Sequence, residues 1–322
     1  MVTPSTIQAG TVLEALGAGL WQGFADDVAP LLPLTRSLPP FSGSMLELHP
    51  GRAGCPFDWS CKATFEYDGP LLQPASLLAT MPQLASDSIR HLTGPGSDSY
   101  LYGIENLYFE WDFPAGNGPA LFFDLGRNTG ARVGEQQADL CRLCESFYYP
   151  LKPEQTGFVK QLEIMGLRVV YFGLMLSRPH SPLRLTTSGI ETEKLPGVLS
   201  ALGWQGSQDQ VKLLCSRYID HACQVTLSFD AGKHPGPRIG IEVTDPLPAE
   251  TISRLTGDGL LNEQEARWLH LWPGQTDLGT ETAAALSALH QRPVSLLYRR
   301  LNHFKFILDK YLSAKAYLYY CF

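Results

Sequence analysis

The sequence predicts an α+β protein in which ten antiparallel strands close into a barrel ringed by helices. Three observations predict it. Ten short segments alternate polar and apolar residues, the period of a strand with two unlike faces. They group into five hairpins, and each hairpin follows helix-compatible sequence, so one helix-strand-strand unit recurs five times in 322 residues. The polar face mixes acids, bases and tyrosines, unlike the Lys, Glu and Thr of a solvated surface.

Taken in order, Thr11 to Leu38 carries a helical stripe of Leu13, Leu16, Leu20 and Phe24, which needs an apolar surface to cover. The first hairpin, residues 44–49 with 57–66, supplies one. Phe57, Trp59, Cys61 and Phe65 share one parity, and Asp58, Ser60, Lys62, Thr64 and Glu66 the other. Helical sequence from Ala75 to Leu92 precedes the pair 102–113 with 119–125. Here Leu107, Phe109, Trp111 and Phe113 oppose Tyr108, Glu110 and Asp112, with a turn at Ala115 to Gly118. Glu135 to Met165 leads into 168–177 with 183–187. Thr192 to Ile219 leads into 223–230 with 237–243, where Val225, Leu227, Phe229, Ile239 and Ile241 oppose Thr226, Ser228, Asp230, Arg238 and Glu242. Ala249 to Arg300, broken at Pro293, precedes the last pair, 302–308 with 314–320. There Ala314, Ala316, Leu318 and Tyr320 oppose Lys315, Tyr317 and Tyr319.

An open sheet with one wet face fits the same alternation. Closure is favoured because so wide a sheet tends to curl and leaves two edges unpaired. A closed barrel of this size has room for a ligand. The even repeat makes residues 1–322 one barrel domain. No apolar run reaches about 18 residues, so no membrane span is expected. Residues 1–10 lack a basic segment leading into an apolar one, so no secretory signal is expected. A net charge of -7 argues against a nucleic-acid surface. Seven cysteines, an odd number, fit reduced thiols in the cytoplasm. Cys141 and Cys144 sit at helical spacing among Leu140 and Leu143 and read as core, and the histidines show no metal-ligand spacing. Phosphate-loop, dinucleotide and nucleophile-elbow motifs are missing.

The inward parity gathers Lys62, Arg184, Arg238, Lys305 and Lys315 with Glu47, Asp58, Glu110, Asp112, Asp230 and Glu242. Buried charge is costly unless it is paired, hydrated or met by a ligand. Five cations suit a multivalent anion such as a diphosphate, with arginine forks and lysine point charges on its oxygens. Tyr171, Tyr317 and Tyr319 can donate hydrogen bonds to the same group, and their ring faces can shield a cation. The plainer alternative is a non-catalytic barrel that binds an anionic lipid or a peptide, its charges paired internally, Arg238 with Glu242 or Lys62 with Glu66.

Two segments add a resemblance. Phe57, Asp58, Trp59, Ser60, Cys61 and Lys62 set an acid four positions before a lysine with Ser-Cys-Lys intact, and Tyr317, Leu318, Tyr319, Tyr320, Cys321 and Phe322 make an aromatic strand. With the five repeats, the chain resembles the ABBA-fold prenyltransferases, or PT barrels, most closely the cyanobactin-type peptide prenyltransferases. The resemblance implies transfer of an isoprenoid, dimethylallyl or geranyl, from its diphosphate to a nucleophilic side chain of a peptide, aided by Mg2+. It places Asp58 at the position of the family's acidic residue. No basic residue lies between Tyr67 and Gln83, and the strand Pro119 to Leu125 lacks a lysine. Lys62, Arg184, Arg238, Lys305, Lys315, Tyr317 and Tyr319 are therefore the expected diphosphate ligands.

The implied mechanism is a dissociative alkylation in which cations stabilise the leaving group and a carboxylate takes the acceptor's proton. Asp58 is the first choice for that carboxylate, with Glu47 and Glu110 as substitutes. Tyr171, Phe122 and Met175 would wall the isoprenoid pocket and exclude water. The surplus of inward acids points to a basic acceptor, histidine or arginine, ahead of tryptophan or tyrosine.

Overall fold

Residues that alternate in sequence become a wall with two faces. The computed structural model describes residues 7–20, 23–64, 68–72, 104–113, 118–125, 135–146, 149–176, 183–219, 224–244 and 248–322. The strands are β1 (Gly43–Leu48), β2 (Phe57–Thr64), β3 (Asn106–Trp111), β4 (Ala120–Asp124), β5 (Arg168–Leu174), β6 (Leu183–Glu191), β7 (Gln224–Asp230), β8 (Ile239–Val243), β9 (Gly274–Asp277), β10 (Leu296–Leu308) and β11 (Leu312–Cys321). From β1 to β8 each strand pairs antiparallel with the next in the chain. β10 pairs with β8 and β11, and β11 pairs back onto β1 with Gly43 opposite Cys321. Ten strands thus close a ring, as the alternation predicts.

Two departures follow from local chemistry. The strand β9 lies outside the ring and pairs only with Leu296 to Arg299 of β10; its four residues, Gly-Gln-Thr-Asp, are too few and too polar to show a period. β10 consequently begins inside the stretch expected to be helical up to Arg300. β6 runs past residue 187 to Glu191 through a register shift between Thr187 and Ile190, where Gly189 has φ +82°. Only glycine adopts that backbone readily, and it lets the strand bulge.

The helical stretches break into shorter helices at prolines and caps. Thr11 to Leu38 becomes Ala9–Gly19, Phe24–Val28 and Leu32–Thr35. Pro153 opens the helix Pro153–Ile164, where a missing N–H costs nothing. Asn262 and Glu265 form a reciprocal capping box on Glu263–Leu271. The expected helix from Ala75 to Leu92 lies outside the described residues.

The core lies between the outer face of the barrel and the helices. Val12, Leu13 and Leu16 of the first helix are buried there with Trp59, Phe109 and Trp111. Trp59 stacks on Trp111 at 5.2 Å, and Phe123 on Phe172 at 4.5 Å. Each such ring contributes about 1.5–3 kcal/mol relative to exposure. Trp59 also donates its indole N–H to the Tyr320 hydroxyl at 2.9 Å, so the seam between β11 and β1 is fastened from outside. The helical Cys144 is buried in this layer, in accord with a packing role.

Candidate active site

The inner face encloses a wide chamber of about 600 Å³ and a narrow one of about 30 Å³. Glu110, Phe122, Lys305 and Tyr317 line both and form the partition between them. Glycines on the wall make room for large side chains to cross the lumen. A Cβ on Gly173 would lie 2.5 Å from the Phe122 ring, and one on Gly43 would lie 2.6 Å from the Tyr319 hydroxyl. Gly240 likewise leaves space for the stem of Lys305.

Most lumen charges are matched. At the narrow end Lys315 pairs with Glu47, and Arg184 gives two hydrogen bonds to Asp230 Oδ1 at 2.8 and 2.9 Å. Lys305 Nζ lies 2.8 Å from Glu242 Oε1. Burial works to raise the pKa of both Glu47 and Glu242, yet Lys315 and His49 hold the first well below the usual range and Lys305 lowers the second.

Asp58 belongs to this matched network and lines neither chamber. Its Oδ1 accepts from Arg52 Nη1 and from the Phe113 backbone N–H, each at 2.8 Å. Its Oδ2 lies 2.5 Å from His49 Nε2, which is also 3.1 Å from Glu47 Oε1. Burial would lower the His49 pKa, but the two carboxylates raise it. Burial would raise that of Asp58, but His49 lowers it. The expected first-choice proton acceptor is therefore surrounded by cations and donors. Arg52, its partner, lies in the β1–β2 turn, where no alternation marks it.

Of the expected diphosphate ligands, Lys62, Lys305, Tyr317 and Tyr319 line the wide chamber. Arg184, Arg238 and Lys315 line only the narrow one, and Arg238 is exposed. Tyr171 and Phe122 line the wide chamber as expected, whereas Met175 is buried and contributes to neither. Parity assigns a face but not a depth, which is why one inward set divides between two ends.

The wide chamber also collects Tyr108, Arg300, Asn302 and His303, none of them among the expected ligands. Tyr108 shares the polar parity of Glu110, so the alternation does point to it. Arg300 is hidden by a bulge: the register of β10 against β11 slips between Leu301 and His303. Counted back from Lys305, alternation would send Arg300 outward, and the extra residue turns it in. Its guanidinium sits 5.0 Å from the centre of the Tyr319 ring. Tyr108 and Tyr171 meet edge to face at 5.8 Å. Burial pushes the pKa of Tyr108 well up and that of Tyr171 to about 12, so both phenols keep their protons.

Three charged groups of the wide chamber are left over. Lys62 and Arg300 have no carboxylate partner among the described residues. Glu110 has no hydrogen-bond or ion-pair partner there either, and burial, then the charges of Glu47 and Asp112, push its pKa to about 7. The wide chamber is thus net positive around one poised carboxyl group.

The one cluster of three metal-ligand side chains among the described residues suits Mg2+ poorly. Glu47, His49 and Asp58 bring donor atoms within 4.8 Å of one another. Mg2+ demands octahedral oxygen ligands, whereas here an imidazole stands between two carboxylates already held by Lys315 and Arg52.

No protein-family model matches the chain, and no curated protein does. Solved structures do match. The chain is similar to the apo form of prenyltransferase PriB, with a TM-score of 0.53 and 12% identity over 97% of this chain and 94% of that one. It is similar to 5-dimethylallyltryptophan synthase from Streptomyces coelicolor, with a TM-score of 0.50 and 11% identity over 96% and 95%. The ternary complex of PriB with L-tryptophan and dimethylallyl thiolodiphosphate gives 0.50 and 12% over 97% and 94%. These likenesses show the fold, the ten-stranded barrel of the ABBA prenyltransferases.

Proposed function

We propose that the chain, as one barrel domain over residues 1–322, is a prenyltransferase that moves an isoprenoid from its diphosphate to a side chain of a peptide. The observation that carries this reading is the pair of cations, Lys62 and Arg300, unmatched among the described residues and standing among the phenols of Tyr108, Tyr171 and Tyr319 in a chamber that also holds Glu110. PriB, whose barrel this one resembles, has been solved with an isoprenoid diphosphate analogue and an aromatic amino acid together.

The chemistry follows from the lining. Lys62 and Arg300 draw in the diphosphate and offset the charge that grows on it as the C–O bond breaks with its electron pair. The protonated phenols donate hydrogen bonds to the same oxygens, and their faces stabilise the allylic cation. Phe122 and Met45 keep water from quenching it. The acceptor's nucleophilic atom forms the new bond to the isoprenoid carbon, and its proton passes to a carboxylate oxygen of Glu110. We assign the proton to Glu110 instead of Asp58 because Glu110 faces the chamber without a partner and its pKa near 7 leaves it part ionised at neutral pH.

The same accounting changes the acceptor. A histidine or arginine would call for spare carboxylates, and Glu47, Asp58, Asp230 and Glu242 are each held by a cation. A single free acid suits a neutral N–H or O–H, so the reading favours the indole of tryptophan or the phenol of tyrosine. A peptide acceptor agrees with the cyanobactin-type sequence around Asp58 and Lys62. The free thiols of Cys55, Cys61 and Cys144 agree with a cytoplasmic setting, and no helix of the described residues is long and apolar enough to cross a membrane.

Incubation with dimethylallyl or geranyl diphosphate and matched peptides bearing Trp, Tyr, His or Arg tests the reading by mass spectrometry. A mass gain of one isoprenyl group on Trp or Tyr is expected. Pyrophosphate binding with no transfer to any peptide would leave the non-catalytic anion-binding barrel instead.

A further inference from the structure

The bulge in β10 does more than turn Arg300 inward. It also sends Asn302 and His303, neighbours in sequence, into the same chamber. Nδ2 of Asn302 lies 2.9 Å from Nδ1 of His303. An amide nitrogen can only donate, so Nδ1 accepts and the ring proton sits on Nε2. Burial lowers the His303 pKa, and although Glu242 works against this, Lys305 adds to it, so the ring is neutral near pH 7. The imidazole stacks on Tyr317 with centroids 4.1 Å apart and planes 18° apart, which fixes its direction.

The Nε2–H is therefore a buried donor in the wall of the lumen with no acceptor among the described residues. The closest carboxylate oxygen, Glu242 Oε2, is 4.0 Å away, beyond hydrogen-bond reach. A donor withdrawn from bulk water and left unmatched costs free energy until a ligand brings it an oxygen. The position selects which ligand. His303 pairs with Tyr317, deeper along the barrel than the pairing of Arg300 with Tyr319, so it lies below the free cation of that strand. Tyr317 is also near enough to Glu110 for that carboxylate to raise its pKa. An acceptor whose reacting ring meets Glu110 thus brings its own backbone within reach of His303. Glu242 Oε2, the oxygen that Lys305 does not hold, lies 4.0 Å from Nε2 and disfavours a second anionic oxygen in the same place.

We propose that His303 donates its Nε2–H to a neutral carbonyl oxygen of the acceptor, and that with Glu242 it selects acceptors joined through an amide over those ending in a free carboxylate. This rests on reading the wide chamber as the prenyl-transfer site. His303 is a specificity-determining residue on this account, and Asn302 a positioning residue that sets its tautomer.

The test is isothermal titration, with pyrophosphate present, of N-acetyl-tryptophan amide against N-acetyl-tryptophan. The wild-type protein is compared with His303→Phe, His303→Gln and Asn302→Leu. Wild type is expected to bind the amide about tenfold tighter than the carboxylate, the order set by one hydrogen bond. His303→Phe should remove that preference by weakening the amide alone, and His303→Gln, which keeps a donor, should restore part of it. Asn302→Leu should fall between. Pyrophosphate affinity unchanged across the set shows an intact lumen. With dimethylallyl diphosphate as donor, His303→Phe should raise the KM for the amide while kcat changes little. Equal wild-type affinity for the two probes, equal losses for both in His303→Phe, or binding of neither would overturn the inference. An amide preference that disappears in His303→Phe, in a protein that transfers no isoprenoid to any acceptor, would instead sink the prenyl-transfer reading and leave the His303 contact standing.

Discussion

Replacing Glu110 by glutamine should stabilise the protein at alkaline pH while it removes most of the turnover. The pKa of Glu110 stands at about 7 against an ordinary 4.5. Each unit corresponds to about 1.36 kcal/mol, so ionised Glu110 costs the folded state about 3 kcal/mol. The sign follows from linkage: the folded protein holds this proton more tightly than the unfolded chain does. The cost is therefore absent below about pH 4.5, grows between there and pH 7, and is complete above pH 7. Glutamine keeps the volume and discards the charge. Urea unfolding of both proteins at pH 5 and pH 8 measures the effect, and any fixed packing difference cancels between the two conditions. The stability gain of Glu110→Gln at pH 8 should exceed that at pH 5 by about 2–3 kcal/mol. The same difference at both pH values would refute the reasoning. In the wild type, kcat/KM should fall tenfold per unit as pH drops below 7, because the base must be ionised. Glu110→Gln should lose on the order of 10²-fold or more. A wild-type profile flat from pH 5.5 to 8 would remove Glu110 from proton transfer.

Lys62→Met and Arg300→Met should each weaken pyrophosphate binding by about 1.5–3 kcal/mol by calorimetry, whereas Arg238→Ala, at the narrow end, should leave it within about twofold; the reverse pattern would put the anion at the narrow end. Asp58→Asn should destabilise the fold by about 3 kcal/mol, because Arg52 loses its counter-charge and His49 one of its two, with pyrophosphate affinity unchanged. Full stability with abolished turnover would return the proton-acceptor role to Asp58. Gly43→Ala places a methyl group 2.6 Å from the Tyr319 hydroxyl and should raise the donor KM without lowering the melting temperature appreciably. An unaltered KM would separate Tyr319 from the donor.

What the sequence makes legible depends on how far a period runs unbroken. β2 and β3 have no register shift against their neighbours, and β11 has none against β1, so counting by twos correctly turns Lys62, Glu110 and Tyr319 inward. In β10 the count fails at Asn302, and Arg299 and Arg300 exchange faces. Arg299 leaves the lumen and donates to the carbonyls of Trp272 and Gln275. A bulge changes one backbone torsion pattern and leaves no mark on composition. Depth is also illegible, because it depends on how strands stagger around the ring. Lys62 and Arg238 therefore read as equivalent although they line different chambers. The network around Asp58 depends on Arg52 in a turn and on a backbone N–H at Phe113, and neither belongs to a pattern that alternation can reveal.

The pairing of Gly43 with Cys321 also sets the order in which the molecule can be built. β1 is synthesised early and can join β2 at once, but its other edge has no partner until β11 has been made. Contacts between such distant segments form slowly, since chain entropy must be spent before pairing rewards it. During that interval two strand edges are open to other chains, so the hazard for this fold is intermolecular strand exchange before closure. The hydrogen bond from Trp59 to Tyr320 spans the seam and can form only when that interval ends. Indole fluorescence at Trp59 should therefore change late in refolding, after the local hairpins have formed, and removal of β11 should convert a folding delay into permanent aggregation.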